Sequence, residues 1–331
     1  MTLSHNLTSH RYPGDIFSPR IAPLTSTIDR LPVFWINLDR NTDRRAYMEA
    51  YLESQAEAHG LGRLYRVPAI TPDDPRYRIK RVEKPCKRNT PHDLAIILSH
   101  LTAIHTAVYE KDPITKFGNF NDPNGYALIL EDDIKFNMKL DFRELISLAP
   151  RVPRSFGILQ LVTTNVEALK HGHDRFMDSQ GHDFWSQNFW YNKTRNGRYP
   201  LYWGAMGYII HKPTMKAMLS KIIEEDEVGN LHFKIINSFN ENSCKFTAER
   251  PCVLANCLFS DTFVYSAGEP TYVANVPMVT NGALGTGASM THKNHIQAHK
   301  HAFQLIDNIR KSFTETEDYK KCVNYFQQRE K

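Results

Sequence analysis

The chain has 331 residues, 41% of them hydrophobic, enough for one large α/β domain or a domain with a small appendage. Its net charge of +5, from 41 basic and 36 acidic residues, is too slight to argue for nucleic acid, and no RNA- or DNA-binding signature accompanies it. There is no apolar core of signal-peptide length at the start and no run of about 18 apolar residues anywhere, so no transmembrane segment is expected. The five cysteines (Cys86, Cys244, Cys252, Cys257, Cys322) form no CxxC pair; Cys252 and Cys257 are spaced to bridge in a secreted protein, but nothing demands it. These features favour a cytoplasmic protein.

Residues 1–30 are polar with scattered Pro and read as a loosely held arm. Leu31 to Leu38 is an apolar, β-favouring run and the expected first strand. Asn41 or Thr42 then caps a helix whose apolar face carries Met48, Tyr51, Leu52 and Ala56, with Gly60 ending it. A second strand is expected over 65–70, followed by a basic loop over 71–87. Thr90-Pro91 opens the clearest helix, where Leu94, Ile97, Leu98, Leu101, Ile104 and Val108 recur at helical spacing. Its small-residue face includes Ser99, beside His100, and suits close approach to a sheet or to a ligand.

Tyr126-Ala127-Leu128-Ile129-Leu130 runs straight into Glu131-Asp132-Asp133, after the turn formers Asn121 to Gly125. Such a short continuous apolar run reads as a buried central strand. Side chains alternate along a strand, so Glu131 and Asp133 are expected on one side and Asp132 on the other. Two carboxylates at a strand end suit a hard divalent ion held together with a phosphorylated ligand. The alternative is an acidic strand end bonded to neighbouring loops.

Asp141 and Glu144 then start a helix over 142–149, and 156–162 is another strand. Residues 165–203 interleave Phe184, Trp185, Phe189, Trp190, Tyr191, Tyr199, Tyr202 and Trp203 with polar groups. That mixture suits a sugar's apolar faces and hydroxyl rim, and equally a long loop pinned down by aromatic burial. Gly204 to Gly207 leads into a strand over 208–211, and Pro213 begins a helix that runs into Glu224-Glu225-Asp226-Glu227. A strand over 272–279, a loop with Gly282, Gly285 and Gly287, and a helix over 294–313 complete the pattern. His292, His295 and His299 are spaced either as surface histidines or as a metal pair on one helix face.

Several stretches together resemble glycosyltransferase family 25, which includes bacterial lipopolysaccharide galactosyltransferases and collagen β-galactosyltransferases. Val33-Phe34-Trp35-Ile36-Asn37-Leu38-Asp39-Arg40 with Asp43-Arg44-Arg45 is similar to that family's opening motif. Leu98-Ser99-His100-Leu101 resembles its Ser-His helix, and Leu128 to Asp133 its Glu-Asp-Asp. Trp203-Gly204-Ala205-Met206-Gly207-Tyr208 resembles its Gly-containing strand, and Asp261 with Val276-Pro277 its downstream signature. Departures are Ala95-Ile96-Ile97, where the family has Gly-Cys, and Phe156-Gly157, where an acid usually stands.

The resemblance implies a GT-A fold, a Rossmann-like α/β/α sandwich around a mostly parallel sheet with its ligand site at the carboxyl ends of the strands. It implies a domain over 31–290, with 165–203 as an acceptor-side insertion and 291–331 as a C-terminal helix and tail. The implied activity is inverting transfer of a hexose, galactose or glucose, from a UDP-sugar to a glycan or glycoconjugate, with Mn²⁺ or Mg²⁺ bridging the donor's diphosphate. Asp133, Glu131 and His292 are then the metal ligands and Asp261 the general base. Asn37, Asp39, Arg40, Arg44, Ser99, His100 and Asp132 lie on the donor side, and Trp203 and Gly204 on the acceptor side. The competing readings are a non-catalytic GT-A-like carbohydrate-binding protein and a metal-dependent phosphoryl-transfer enzyme, which would want more clustered carboxylates.

Overall fold

Strand β1 (Leu31–Asn37) lies one strand in from the edge of a seven-stranded sheet, and its apolar side chains Leu31, Val33, Phe34, Trp35 and Ile36 are sorted between two layers. The computed structural model describes residues 30–74, 82–83, 90–109, 125–138, 141–147, 156–179, 183–188, 190–192, 197–199, 204–225, 231–233, 235–236, 264–265, 271–282 and 296–315. After β1 come α1 (Thr42–Gln55), β2 (Leu61–Pro68), β3 (Val82–Glu83), α2 (Pro91–Tyr109), β4 (Tyr126–Glu131), β5 (Ile134–Phe136), α3 (Phe142–Ser147) and β6 (Ile158–Gln160). Next are α4 (Val166–Asp178), β7 (Trp185–Gln187), β8 (Trp190–Asn192), β9 (Gly197–Tyr199), β10 (Gly207–His211) and α5 (Lys212–Ile222). The remainder is β11 (Ile223–Glu225), β12 (Leu231–Phe233), β13 (Ile235–Ile236), β14 (Thr271–Ala274), β15 (Val279–Asn281) and α6 (Ile296–Glu315).

The sheet order is β2-β1-β4-β10-β6-β14-β7. β2, β1, β4, β6 and β14 run one way, while β10 and β7 run against them. Leu31, Val33 and Trp35 of β1, with Leu128 and Leu130 of β4, pack toward α1, α3, α4 and α6. Phe34, Ile36, Ala127 and Ile129 face the other way, into α2 and α5. This period-two sorting makes the expected α/β/α sandwich. Ala127 to Leu130 are all 0% exposed, and each buried Leu or Ile there contributes roughly 1.5–3 kcal/mol relative to exposure.

Local chemistry sets the element ends. Gly60 (φ +62°) closes the turn after α1, and a Cβ there would stand 2.2 Å from Asp141 Oδ1. Thr90 and Asp93 cap α2 reciprocally: the Thr90 amide donates to Asp93 Oδ2 (2.7 Å) and the Asp93 amide to Thr90 Oγ1 (3.2 Å). At α1, by contrast, the Asn41 side chain makes no capping bond.

Four expectations change. The second strand begins at Leu61 rather than 65. Within 165–203 a helix, α4, is present; Asn165 caps it by accepting from the Ala168 amide (3.2 Å), and Ala168, Leu169, Gly172 and Phe176 bury one face. The strand expected over 272–279 is two strands, because residues 275–278 turn between β14 and β15. Finally, α5 stops at Ile222, so Glu224 and Glu225 lie in β11, paired with β12, and do not oppose a helix dipole.

Candidate active site

β1 and β4 are parallel neighbours with Ile36 opposite Glu131, so their carboxyl ends deliver Asn37 and the three acids to one edge of the sheet. β4 ends at Glu131, and Asp132-Asp133 form the turn into β5. Alternation therefore stops at Glu131: Asp132 and Asp133 both lie beside Arg44 while Glu131 meets His100, which corrects the expectation that Glu131 and Asp133 share one side. Arg44, in the first turns of α1, reaches Asp132 Oδ1 at 2.9 Å and Asp133 Oδ2 at 3.8 Å.

The two aspartates differ in their partners. Asp132 is buried, with Oδ2 accepting from Asn37 Nδ2 (2.6 Å) and Oδ1 from Arg44. Asn37 is itself fixed, since its Oδ1 accepts from Arg66 Nε at 3.0 Å. Asp133 Oδ1, by contrast, is buried and has no hydrogen-bond partner among the described residues. Burial above all, then the charge of Glu131, pushes the Asp133 carboxyl up to about 7; Arg44 pulls it down, and Asp132 adds a smaller upward push. Among the described residues, Arg44 is the one cationic side chain within ion-pair distance of these aspartates, so the trio carries a surplus of negative charge.

On the opposite layer, Glu131 Oε1 lies 3.2 Å from His100 Nε2, and His100 Nδ1 lies 3.0 Å from the Tyr208 hydroxyl. Glu131 keeps a third of its side chain exposed. The expected donor role of Ser99 does not fit its surroundings. Its buried hydroxyl donates to Ala95 O (2.8 Å) and accepts from the Ile70 amide (2.8 Å), tying α2 to the end of β2. Asp132 has each carboxylate oxygen accepting one bond from the protein. Asp39 and Arg40 are exposed beyond β1, and Asp39 is paired with Arg66.

Gly204 adopts φ +117°, with Thr164 3.3 Å from where a Cβ would stand. Its carbonyl accepts from Tyr265 OH (2.6 Å) and Gln160 Nε2 (3.2 Å), which fixes the backbone entering β10. Asp261, His292 and Trp203 lie outside the described residues. Among the described residues, no three of His, Cys, Asp and Glu form a group that could hold a metal ion by themselves. Arg66, Tyr208 and Tyr265 were not singled out from the sequence. Arg66 and Tyr208 are ordinary strand residues and Tyr265 a helical one, and the role of each depends on a partner at least 29 positions away.

The α/β/α sandwich, with its acids at the carboxyl edge of parallel strands, is the expected GT-A arrangement. No helix among the described residues is long and apolar enough to cross a membrane. No curated protein matches the chain. Among solved structures it is similar to a glycosyltransferase involved in the glycosylation of the major capsid of PBCV-1, at 10% identity over 82% of this chain and 98% of that one, with a TM-score of 0.27. The family model described as glycosyltransferase family 25 (LPS biosynthesis protein) matches residues 30–228, more than half the chain and the whole stretch from β1 through the acids to β10, and so the chain belongs to glycosyltransferase family 25.

Proposed function

We propose that the protein transfers a hexose, galactose or glucose, from a UDP-sugar to a glycan or glycoconjugate acceptor, with inversion at the anomeric carbon and with Mn²⁺ or Mg²⁺ as cofactor. The observation that carries this reading is Asp133 Oδ1, a buried oxygen without a hydrogen-bond partner at the carboxyl edge of the sheet, among three acids served by one arginine. An acceptor oxygen left unpaired in an electronegative spot is the chemistry a hard cation satisfies. Asp133 and Glu131 would hold that cation, with His292 completing the protein's share. When bound, it supplies charge neutralisation for the departing diphosphate.

The chain's own residues do the rest. Asn37 and Arg44 hold Asp132, and through it the turn that presents Asp133. Asp39 and Arg40, exposed past β1, flank the place for the nucleotide, and an arginine there adds charge-assisted bonds to phosphate. Trp203 and Gly204 flank the acceptor. Asp261 takes the proton from the acceptor hydroxyl as that oxygen attacks the anomeric carbon and the UDP oxygen leaves. Replacing Asp261 by Asn is expected to lower kcat by about 10²-fold or more; transfer within about twofold of wild type removes Asp261 from this role.

Titrating a panel of UDP-sugars with and without Mn²⁺, and then assaying transfer and donor hydrolysis, tests the whole reading. Metal-dependent binding with turnover supports it. Binding without turnover favours a carbohydrate-binding relative, and absence of binding to every UDP-sugar overturns it.

A further inference from the structure

We propose that His100 and Tyr208 are positioning residues, a buried tether of fixed tautomer that aims the Glu131 carboxylate and touches neither donor nor acceptor. The inference rests on the reading that Glu131 serves the donor and cation site, and it moves His100 from the donor-contacting set to a role that acts through Glu131.

Three observations carry it. First, His100 is 1% exposed and both of its ring nitrogens are engaged, Nε2 with Glu131 Oε1 (3.2 Å) and Nδ1 with Tyr208 OH (3.0 Å), so no ring nitrogen is left for a ligand. Second, the protons can be placed by counting donors and acceptors. The Glu131 carboxylate only accepts, so Nε2 carries a hydrogen. The Tyr208 hydroxyl is fully buried, and its one hydrogen-bond partner among the described residues is Nδ1; a buried O–H must donate somewhere, so Nδ1 is the bare acceptor. Nε2 is therefore the donor to Glu131 and Nδ1 the acceptor from Tyr208, an imidazole oriented by a second residue as imidazoles at functional sites commonly are.

Third, the tether is anchored on rigid elements. Tyr208 lies in β10 opposite Ile129 of β4, and its ring meets Tyr265 edge-on, with centroids 5.9 Å apart and planes at 89°. The Glu131 amide donates to Met206 O (2.9 Å), just before β10. The segment around β10 therefore holds Glu131 twice, by its backbone and, through Tyr208 and His100, by one carboxylate oxygen. Fixing Oε1 removes rotamer freedom from a side chain that otherwise has much of it and that stays a third exposed.

The test combines nitrogen-15 NMR of the histidine rings in the full chain with kinetics of three variants. Wild type is expected to show His100 as the Nε2–H tautomer at neutral pH. Tyr208→Phe is expected to keep Nε2–H, which the Glu131 carboxylate fixes, but to shift the Nδ1 resonance as that nitrogen loses its donor, and to lower donor kcat/KM about fivefold. His100→Leu is expected to lower donor kcat/KM about 30-fold with acceptor KM unmoved. His100→Gln, whose amide nitrogen replaces the Nε2 donor, is expected to recover to within about fivefold of wild type. An Nδ1–H or doubly protonated ring in wild type overturns the proposal, as does a His100→Gln variant no better than a folded His100→Leu. Should His100→Leu fail to fold, the Tyr208→Phe spectrum decides: an Nδ1 resonance unmoved from wild type overturns the tether. If wild type binds no UDP-sugar in the presence of Mn²⁺, the functional reading fails, while the NMR result still decides whether the tether exists.

Discussion

The two layers that meet at the tip of β4 treat its acids differently. On the α2 side, Glu131 meets His100 Nε2 in a hydrogen bond that fixes the direction of one carboxylate oxygen. On the α1 side, Arg44 supplies charge, but spends its close contact on Asp132 and reaches Asp133 only at 3.8 Å. One layer sets geometry and the other sets charge, and neither completes Asp133. Buried polar groups in folded proteins are almost always paired, so an incomplete one at the carboxyl edge of a sheet marks where a ligand belongs.

Removing the incomplete group should have the largest effect. Asp133→Asn is expected to lower transfer by about 10³-fold in kcat/KM, as loss of a preorganised electrostatic contact does. The same variant should melt, without metal, no lower than wild type, because it removes a buried carboxylate that is poorly compensated. A marked loss of thermal stability would place Asp133 in the scaffold instead.

Arg44→Met attacks the other half of the comparison. It leaves Asp132 and Asp133 without their cation in a setting where Arg44 is only 18% exposed, and is expected to cost about 2 kcal/mol in urea unfolding. The Asp133→Asn change should offset part of that loss in the double variant, and strict additivity would mean that Arg44 acts through Asp132 alone.

A pH series gives a smaller, signed effect. The folded-state pKa of Asp133, about 7, lies above its ordinary value of 3.8, so between those values the folded state holds more protons than the unfolded one. Stability from this group is therefore present at low pH and lost as pH rises from about 4 to 7. Metal-free protein should show that downward slope in melting temperature, and Asp133→Asn should reduce it. Mn²⁺, which competes with the proton, should raise the melting temperature more at pH 8 than at pH 5.5.

The smallest effect is expected from Ser99→Ala. It should cost about 1 kcal/mol by leaving the Ile70 amide unpaired, with donor KM unchanged. A raised donor KM would return Ser99 to the donor side.

The sandwich was legible because periodicity survives translation into structure. The unbroken apolar run of β4, the helical spacing in α2 and the Thr90-Pro91 start each needed only local rules. The α4 helix was overlooked because a stretch crowded with aromatic and polar residues hides the spacing of Leu169, Gly172 and Phe176. The split between β14 and β15 went unread for a similar reason, since residues 275–278 are as apolar and as buried as the strands they separate.

By itself the sequence determined the core elements β1, β4, α1 and α2, and that three acids sit at the end of a buried strand. Period and apolar run length act over a few residues, and the chain carries them wherever it goes. Only the tertiary structure decided how those acids differ: Asp132 is satisfied, Glu131 is aimed and Asp133 is left open. That difference depends on Arg44, Asn37 and His100, which meet the acids across 31 to 95 positions of chain, and on Tyr208, which meets His100 across 108; hydrogen-bond accounting exists only once such distant partners are in contact.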